Sequence, residues 1–216
     1  MPPSPTATEP APAGAASSAP AGAASAALLM LGDCRLPAGG YAHSGGLEQA
    51  ISRGWVRAPA DLLSFLRGRV HTTGLINATF AAAAQHRTRA AVSQDGLEGL
   101  HAALLELEQE LLARTPSPAL RSTGRDLGRM LLRSLRSISP QQAPVIEAAG
   151  PVLQQPLAYG VVSAALGLDA RHAAGVVMYD TVASPAVSAV KLMSIDPFAA
   201  HRCLAELAGE MDEVTD

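Results

Sequence analysis

Apolar residues recur at helical spacing along most of the chain. The clearest stripe repeats at intervals of three and four residues and comprises Leu97, Leu100, Leu104, Leu107 and Leu111. No segment combines strand-like alternation with paired turn signals, and no internal repeat is visible. The pattern predicts an all-α fold, a single-domain helical bundle of roughly eight to ten helices.

Several helix ends are marked by capping residues. Pro59 suits the first turn of a helix, and Asp196 followed by Pro197 combines a cap with a proline at the first helical position. Gly167 is typical of a helix end, and Asp169 is placed to cap the next helix. These signals divide the apolar pattern into separate helices joined by short loops.

One apolar segment, Ala173 to Val190, is long enough to cross a membrane. Asp180 and Pro185 interrupt it, and no second segment of this kind occurs. We therefore predict a buried bundle helix that is kinked at Pro185, and no membrane association.

The first 26 residues consist almost entirely of Pro, Ala, Ser, Thr and Gly, and they lack the features of a signal or transit peptide. We predict a disordered tail over residues 1–26 and a folded domain over residues 27–211. The formal net charge of −3 argues against nucleic acid as a partner. Two widely separated cysteines, Cys34 and Cys203, favour a reducing compartment, so we expect a cytoplasmic protein.

Glycine is concentrated in the stretch "LPAGGYAHSGGLEQA", residues 36–50. Its four glycines are Gly39, Gly40, Gly45 and Gly46. Such density indicates an unusual backbone path, a close approach of another chain, or a phosphate cradle. A phosphate loop requires a lysine followed by Ser or Thr, whereas the single lysine of the chain, Lys191, lies far outside this stretch. A nucleotide site of that type is excluded.

Two other chemistries are weakly indicated in the same stretch. Ser44 is flanked by small residues, as is the nucleophile of a hydrolase, although no core strand precedes it. The alternative is that Ser44 caps the helix containing Glu48. His43 and Cys34 could meet across the loop, but none of the six histidines forms a short metal-binding pair. We predict no catalytic residue, no metal ligand and no firmly bound cofactor.

A sharper pattern is a row of arginines that predicts a guanidinium face on one helix, from about Ala119 to Ser137. Its members are Arg121, Arg125, Arg129, Arg133 and Arg136. The face is either a solvated surface or a docking face for an acidic partner, because arginine grips carboxylates bidentately. Gly124 and Gly128, also four residues apart, would let a neighbouring helix approach closely.

Taken together, ordered pieces of the sequence resemble the UreF family of urease accessory proteins. The resemblance covers about Ala27 to Ala208 and starts with "LLMLGDCRLPAGGYAHSGGLEQAISRGWV". It returns in "RSTGRDLGRMLLR", "PLAYGVVSAALGLD" and "SPAVSAVKLMSID". The chain departs from the family pattern at Gln155, where a histidine-containing stretch is common, and in the segment after Lys191.

The resemblance implies a cytosolic, non-enzymatic scaffold that forms a homodimer. Such a scaffold would bind accessory protein D (H in some systems) and the nickel-carrying GTPase G, and would dock with them on apo-urease. Nickel would be handled by the assembled complex. A generic all-α interaction module remains the alternative, and a hydrolase using Ser44 a more distant one.

We expect partner contacts from three groups of residues. They are the glycine stretch (Pro37, Gly39, Gly40, Tyr41, His43, Ser44, Gly45 and Glu48), the arginine face (Arg121, Arg125, Arg129 and Arg133), and Lys191.

Overall fold

The computed structural model describes residues 21–33, 35–40, 43–94 and 96–216. Its α-helices, in chain order, are α1 (Ala21–Gly32), α2 (Leu47–Ser52), α3 (Pro59–Arg69), α4 (Leu75–Ser93), α5 (Leu100–Ala113), α6 (Pro118–Ile138), α7 (Ala143–Ala149), α8 (Gln155–Ala165), α9 (Ala170–Leu192) and α10 (Pro197–Thr215). A π-helical turn (Val70–Gly74) joins α3 to α4, and a 3₁₀ turn (Pro140–Gln142) precedes α7. The described residues contain no strand, which confirms the all-α prediction, and the helix number lies within the predicted range.

The predicted tail boundary differs from the start of the first helix. Helix α1 begins at Ala21, inside the segment assigned to the tail, whereas residues 1–20 lie outside the described residues. Tyr41 and Cys34, both considered as candidate site residues, also lie outside the described residues.

The core of the bundle is built around α4, α8 and α9. Helix α8 is buried from Pro156 to Ser163. A Cβ placed on Gly160 would lie 2.6 Å from Ala84 Cβ and 2.7 Å from the Gln85 backbone nitrogen of α4. Glycine therefore sets the spacing at which α4 and α8 pack.

Helix α9 is the one helix of the described residues that is long and apolar enough to cross a membrane. It packs against α4, α8 and α10, and most of its apolar stretch is buried inside the bundle. The helix continues through the buried Pro185 from Ala170 to Leu192. Its environment is that of a core helix, as predicted.

The capping predictions are confirmed for two helices and corrected for one. The Asp169 carboxylate accepts a hydrogen bond from the His172 backbone N–H (2.8 Å), and Asp196 accepts one from the Phe198 N–H (3.0 Å). At α2 the N-cap position is Gly46, with φ 94°. Ser44 Oγ accepts only a long bond from the Glu48 N–H, at 3.4 Å, so Ser44 supports this helix from outside the cap position.

The π-helical turn places α3 and α4 against α9. A Cβ on Gly74, the last residue of this turn, would lie 2.6 Å from Met178 Sδ and 2.9 Å from the Arg69 carbonyl oxygen. The extra residue of a π turn changes the direction of the side chains around it. Arg69 lies directly before this turn, and its guanidinium contacts α9.

Candidate functional site

The glycine loop lies between α1 and α2, and its described residues are 35–40 and 43–46. Gly39, Gly45 and Gly46 have φ values of 83°, 58° and 94°. These values lie in the left-handed region, which glycine adopts without the steric cost that a Cβ imposes. The first of the interpretations raised by the sequence, an unusual backbone path, is confirmed.

The first half of the loop lies on α6. Ser134 Oγ of that helix donates a hydrogen bond to the Pro37 carbonyl oxygen (2.7 Å). A Cβ on Gly39 would come within 2.9 Å of Met130 Sδ and 3.3 Å of Leu127 Cδ2. Glycine is therefore favoured at position 39 by its backbone conformation, and the neighbour that approaches it closely is the flexible Met130 side chain of the chain's own helix.

The second half of the loop is held by a single guanidinium from the end of α3. Arg69 Nη1 donates to the Gly45 carbonyl oxygen at 2.6 Å, and Arg69 Nε donates to the Thr181 carbonyl oxygen at 3.0 Å. Burial lowers the pKa of Arg69, and the nearby Asp180 opposes that shift. Arg69 thus connects the loop directly to the middle of α9.

Asp180 lies beneath Gly40. Its Oδ2 accepts a hydrogen bond from Gln155 Nε2 (3.1 Å), and its Oδ1 accepts one from Ser184 Oγ (3.2 Å). Burial raises the pKa of Asp180, while the two hydrogen bonds and the charge of Arg69 act in the opposite direction. Among the described ion pairs none joins Arg69 to Asp180, so their attraction acts across a gap.

These groups line a cavity of about 160 Å³ between the loop, α6, α8 and α9, and its lining combines polar and apolar side chains. Its lining includes His43, Arg69, Gln155, Asp180 and Ser184, together with threonine and asparagine side chains. The described hydrogen bonds do not connect Ser44 to a histidine, so the geometry offers no support for hydrolysis. Within the described residues, no group of three or more His, Cys, Asp or Glu side chains is placed to hold a metal ion.

The arginine face forms the outer side of α6. Arg125, Arg129, Arg133 and Arg136 are exposed, whereas Arg121 is half-buried and donates to the Pro116 carbonyl oxygen (3.3 Å). Gly124 and Gly128 lie on an adjacent side, where a Cβ on Gly128 would be 3.0 Å from the Gln155 backbone nitrogen. The predicted close approach at these glycines is confirmed, and the neighbour is the segment that enters α8.

Two of the three predicted groups share helix α6 but lie on different sides of it. Pro37 and Gly39 contact α6, the helix that carries the arginine face. Lys191 is exposed in the last turn of α9, eleven residues after Asp180 and therefore roughly 16 Å farther along nearly the same face of that helix. Lys191 does not line the cavity, and Glu48 is exposed on α2.

Sequence analysis missed the polar groups that hold the loop. Arg69 and Ser184 gave no signal of their own, and Gln155 was noted only as a departure from the family pattern. Asp180 did carry a signal, because a lone carboxylate in an otherwise apolar helix must be either exposed or hydrogen-bonded. Reading that residue as a site, rather than as an argument against a membrane span, would have located the cavity.

Comparisons with known proteins agree with this architecture. The UreF family model matches residues 56–208, a range that begins after the glycine loop. A urease accessory protein UreF from Mycolicibacterium vanbaalenii is 38% identical over 172 residues, covering 80% of this chain and 75% of the relative. Proteins of the same name from Mycobacterium tuberculosis H37Rv and Mycobacterium marinum are each 39% identical, with 80% of this chain and 74% of each relative covered.

The relatives are named as accessory proteins rather than as enzymes. The family match spans most of the bundle, from just before α3 into α10. The chain belongs to the UreF family of urease accessory proteins.

Proposed function

We propose that the chain is a non-enzymatic, cytoplasmic scaffold in the maturation of urease. As a homodimer it joins accessory protein D (H) to the nickel-carrying GTPase G, and the complex docks on apo-urease. Nickel is the cargo of the assembled complex in this proposal. The observation that carries it is membership of the UreF family, whose members compared with this chain above are named urease accessory proteins.

The geometry of the glycine loop supports a binding role. Both halves of the loop are fixed by interactions with the bundle, through Ser134 at one end and Arg69 at the other. A surface held in this way is pre-organised, which lowers the entropic cost of binding a partner. His43, Glu48 and the residues between them are then presented at a defined position next to α6.

Lys191 is the second element of the proposed surface. Its position in the last turn of α9 also complements the helix dipole, so a purely structural role predicts a change in stability alone. A role in binding the GTPase predicts instead that Lys191→Ala keeps the fold and D-type binding. It would reduce G-type binding or uncouple GTP hydrolysis from urease activation.

The experiment is co-purification of the full chain with D-type and G-type proteins and apo-urease, with and without GTP and nickel. We expect a complex containing all partners and nickel-dependent urease activity. Lys191→Ala is compared with Arg202→Ala, an exposed cation on α10. A stable monomer that ignores all three partners would contradict the proposal and favour a generic interaction module. Full activation by the Lys191→Ala variant would assign that residue to helix capping.

A further inference from the structure

A second surface lies on the other side of α6 from the glycine loop. It is a depression of about 260 Å³ between α6 and α7, which we call the arginine depression. It is lined by Arg129, Leu132, Arg133, Arg136, Ile146, Glu147, Gly150 and Pro151. A depression of this size can take a side chain of a partner but not a domain.

The rim of the arginine depression carries an excess of positive charge. Arg129 pairs with Asp126 at 2.5 Å, and Arg136 pairs with Glu147 at 2.9 Å. Arg133, between them, is exposed and forms no ion pair among the described residues, and the same holds for Arg125 two turns earlier. The two existing pairs show that guanidiniums at these positions can bind a carboxylate.

The floor of the depression is apolar. Leu132 and Ile146 lie beneath the guanidiniums and are already buried, at 2% and 5% exposure, so the apolar surface open to a ligand comes from the exposed Pro151 and the methylene groups of the arginines. An occupant that satisfied only the charges would leave this apolar surface in contact with water. The surface therefore matches a ligand that combines carboxylates with an apolar side chain.

The spacing of the arginines matches that of a helix. Arg125, Arg129 and Arg133 follow one another at four-residue intervals, about 6 Å apart along the axis. Carboxylates at positions i and i+4 of a partner helix have the same spacing. Each guanidinium can then meet one carboxylate bidentately, which a lysine cannot do.

Nucleic acid fits the same surface less well. None of the residues lining the depression is aromatic, so base stacking has no platform there. The chain as a whole has a formal net charge of −3. The arginines thus form a local patch in an acidic protein, in contrast to the basic field typical of nucleic-acid binding.

We propose that the arginine depression is a docking site for an acidic amphipathic helix of a partner protein. An apolar side chain of that helix covers Pro151 and the methylene groups of the arginines, and carboxylates one turn apart bind Arg129 and Arg133. The site is separate from the glycine loop and from Lys191. The proposal does not depend on which protein supplies the helix.

The test uses the full chain and a fluorescein-labelled synthetic 18-residue helical peptide, with glutamates at four-residue intervals and leucines on the adjacent face. Binding is followed by fluorescence anisotropy at low and at physiological salt. We expect saturable binding that weakens with salt. The Arg129→Glu/Arg133→Glu variant should weaken it at least tenfold. Arg89→Glu/Arg202→Glu, an equal charge change on exposed arginines of α4 and α10, should alter it less than twofold.

A single variant and a set of competitor ligands distinguish the proposal from its alternatives. The single variant Arg133→Glu leaves both existing ion pairs in place, so it tests the site even if the double variant is unstable. A peptide with glutamine in place of glutamate, one with serine in place of leucine, and a 20-base-pair duplex DNA serve as competitors. Equal binding of either altered peptide, preferential binding of DNA, or equal losses in the two double variants would overturn the proposal.

Discussion

Replacing Gly128 by alanine should destabilise the bundle, although the same replacement normally strengthens a helix. Alanine in a helix interior is favoured over glycine by about 1 kcal/mol. At Gly128, however, the new Cβ would overlap the Leu153 carbonyl oxygen and lie 3.0 Å from both Gln154 C and Gln155 N. These atoms belong to the backbone, so they cannot move away as a side-chain end can.

The magnitude follows from these two opposing effects. Overpacking costs typically about 1–3 kcal/mol, and a clash with backbone atoms belongs at or above the upper end of that range. After the helix-propensity gain is subtracted, the expected net loss is about 2 kcal/mol. For a domain of this size each 1 kcal/mol shifts Tm by about 2–4 °C, so Tm should fall by about 4–8 °C.

Gly68→Ala is the matched control. Gly68 lies inside α3 and is exposed, and a Cβ placed on it would meet no atom within 4 Å beyond its own helix. Only the helix propensity changes there, so Tm should rise by about 2–4 °C. Thermal melts followed by circular dichroism measure both variants. If Gly128→Ala raised Tm as much as Gly68→Ala does, the close approach of α6 to the segment entering α8 would be refuted.

Two further predictions concern the loop and its supports, and a third concerns the ion pair between Arg67 of α3 and Glu210 of α10. Gly40→Leu should reduce assembly with the accessory proteins in pull-down experiments while leaving helicity intact, and Gly40→Ala should retain assembly because its Cβ would make only an ordinary contact. Arg69→Met removes charged donors from two carbonyl oxygens, so the free energy of unfolding measured by urea denaturation should fall by about 2–4 kcal/mol. A decrease of less than about 0.5 kcal/mol would contradict the role assigned to Arg69. Hydrogen bonding by Arg67 lowers the pKa of Glu210 below its ordinary value of 4.5. The ionised carboxylate therefore stabilises the fold above that pH, and this stabilisation is lost as the pH falls and the carboxylate is protonated. Glu210→Gln should make the free energy of unfolding depend less on pH in the acidic range. An unchanged pH dependence would show that the pair does not contribute to stability.

The sequence was sufficient for the helices but not for the support of the loop. Periodicity and capping residues such as Asp169 and Asp196 act locally, so they predict helices without knowledge of their neighbours. The contact between Arg69 and Gly45 joins residues 24 positions apart, and the contact of Gln155 with Asp180 joins residues 25 apart. Such contacts depend on how the helices cross, which hydrophobic spacing alone does not determine.

The π-helical turn at Val70–Gly74 has a consequence for changes in chain length. Removing one residue from it would allow α3 and α4 to merge into one regular helix, which is locally favourable. Every residue after the deletion would then be rotated by about 100° relative to those before it. Arg69 and the face of α4 that contacts α8 could no longer be oriented correctly at the same time. Insertions and deletions should therefore be tolerated between α4 and α5 but selected against at this turn, where a gain in local regularity would separate the support of the loop from the core.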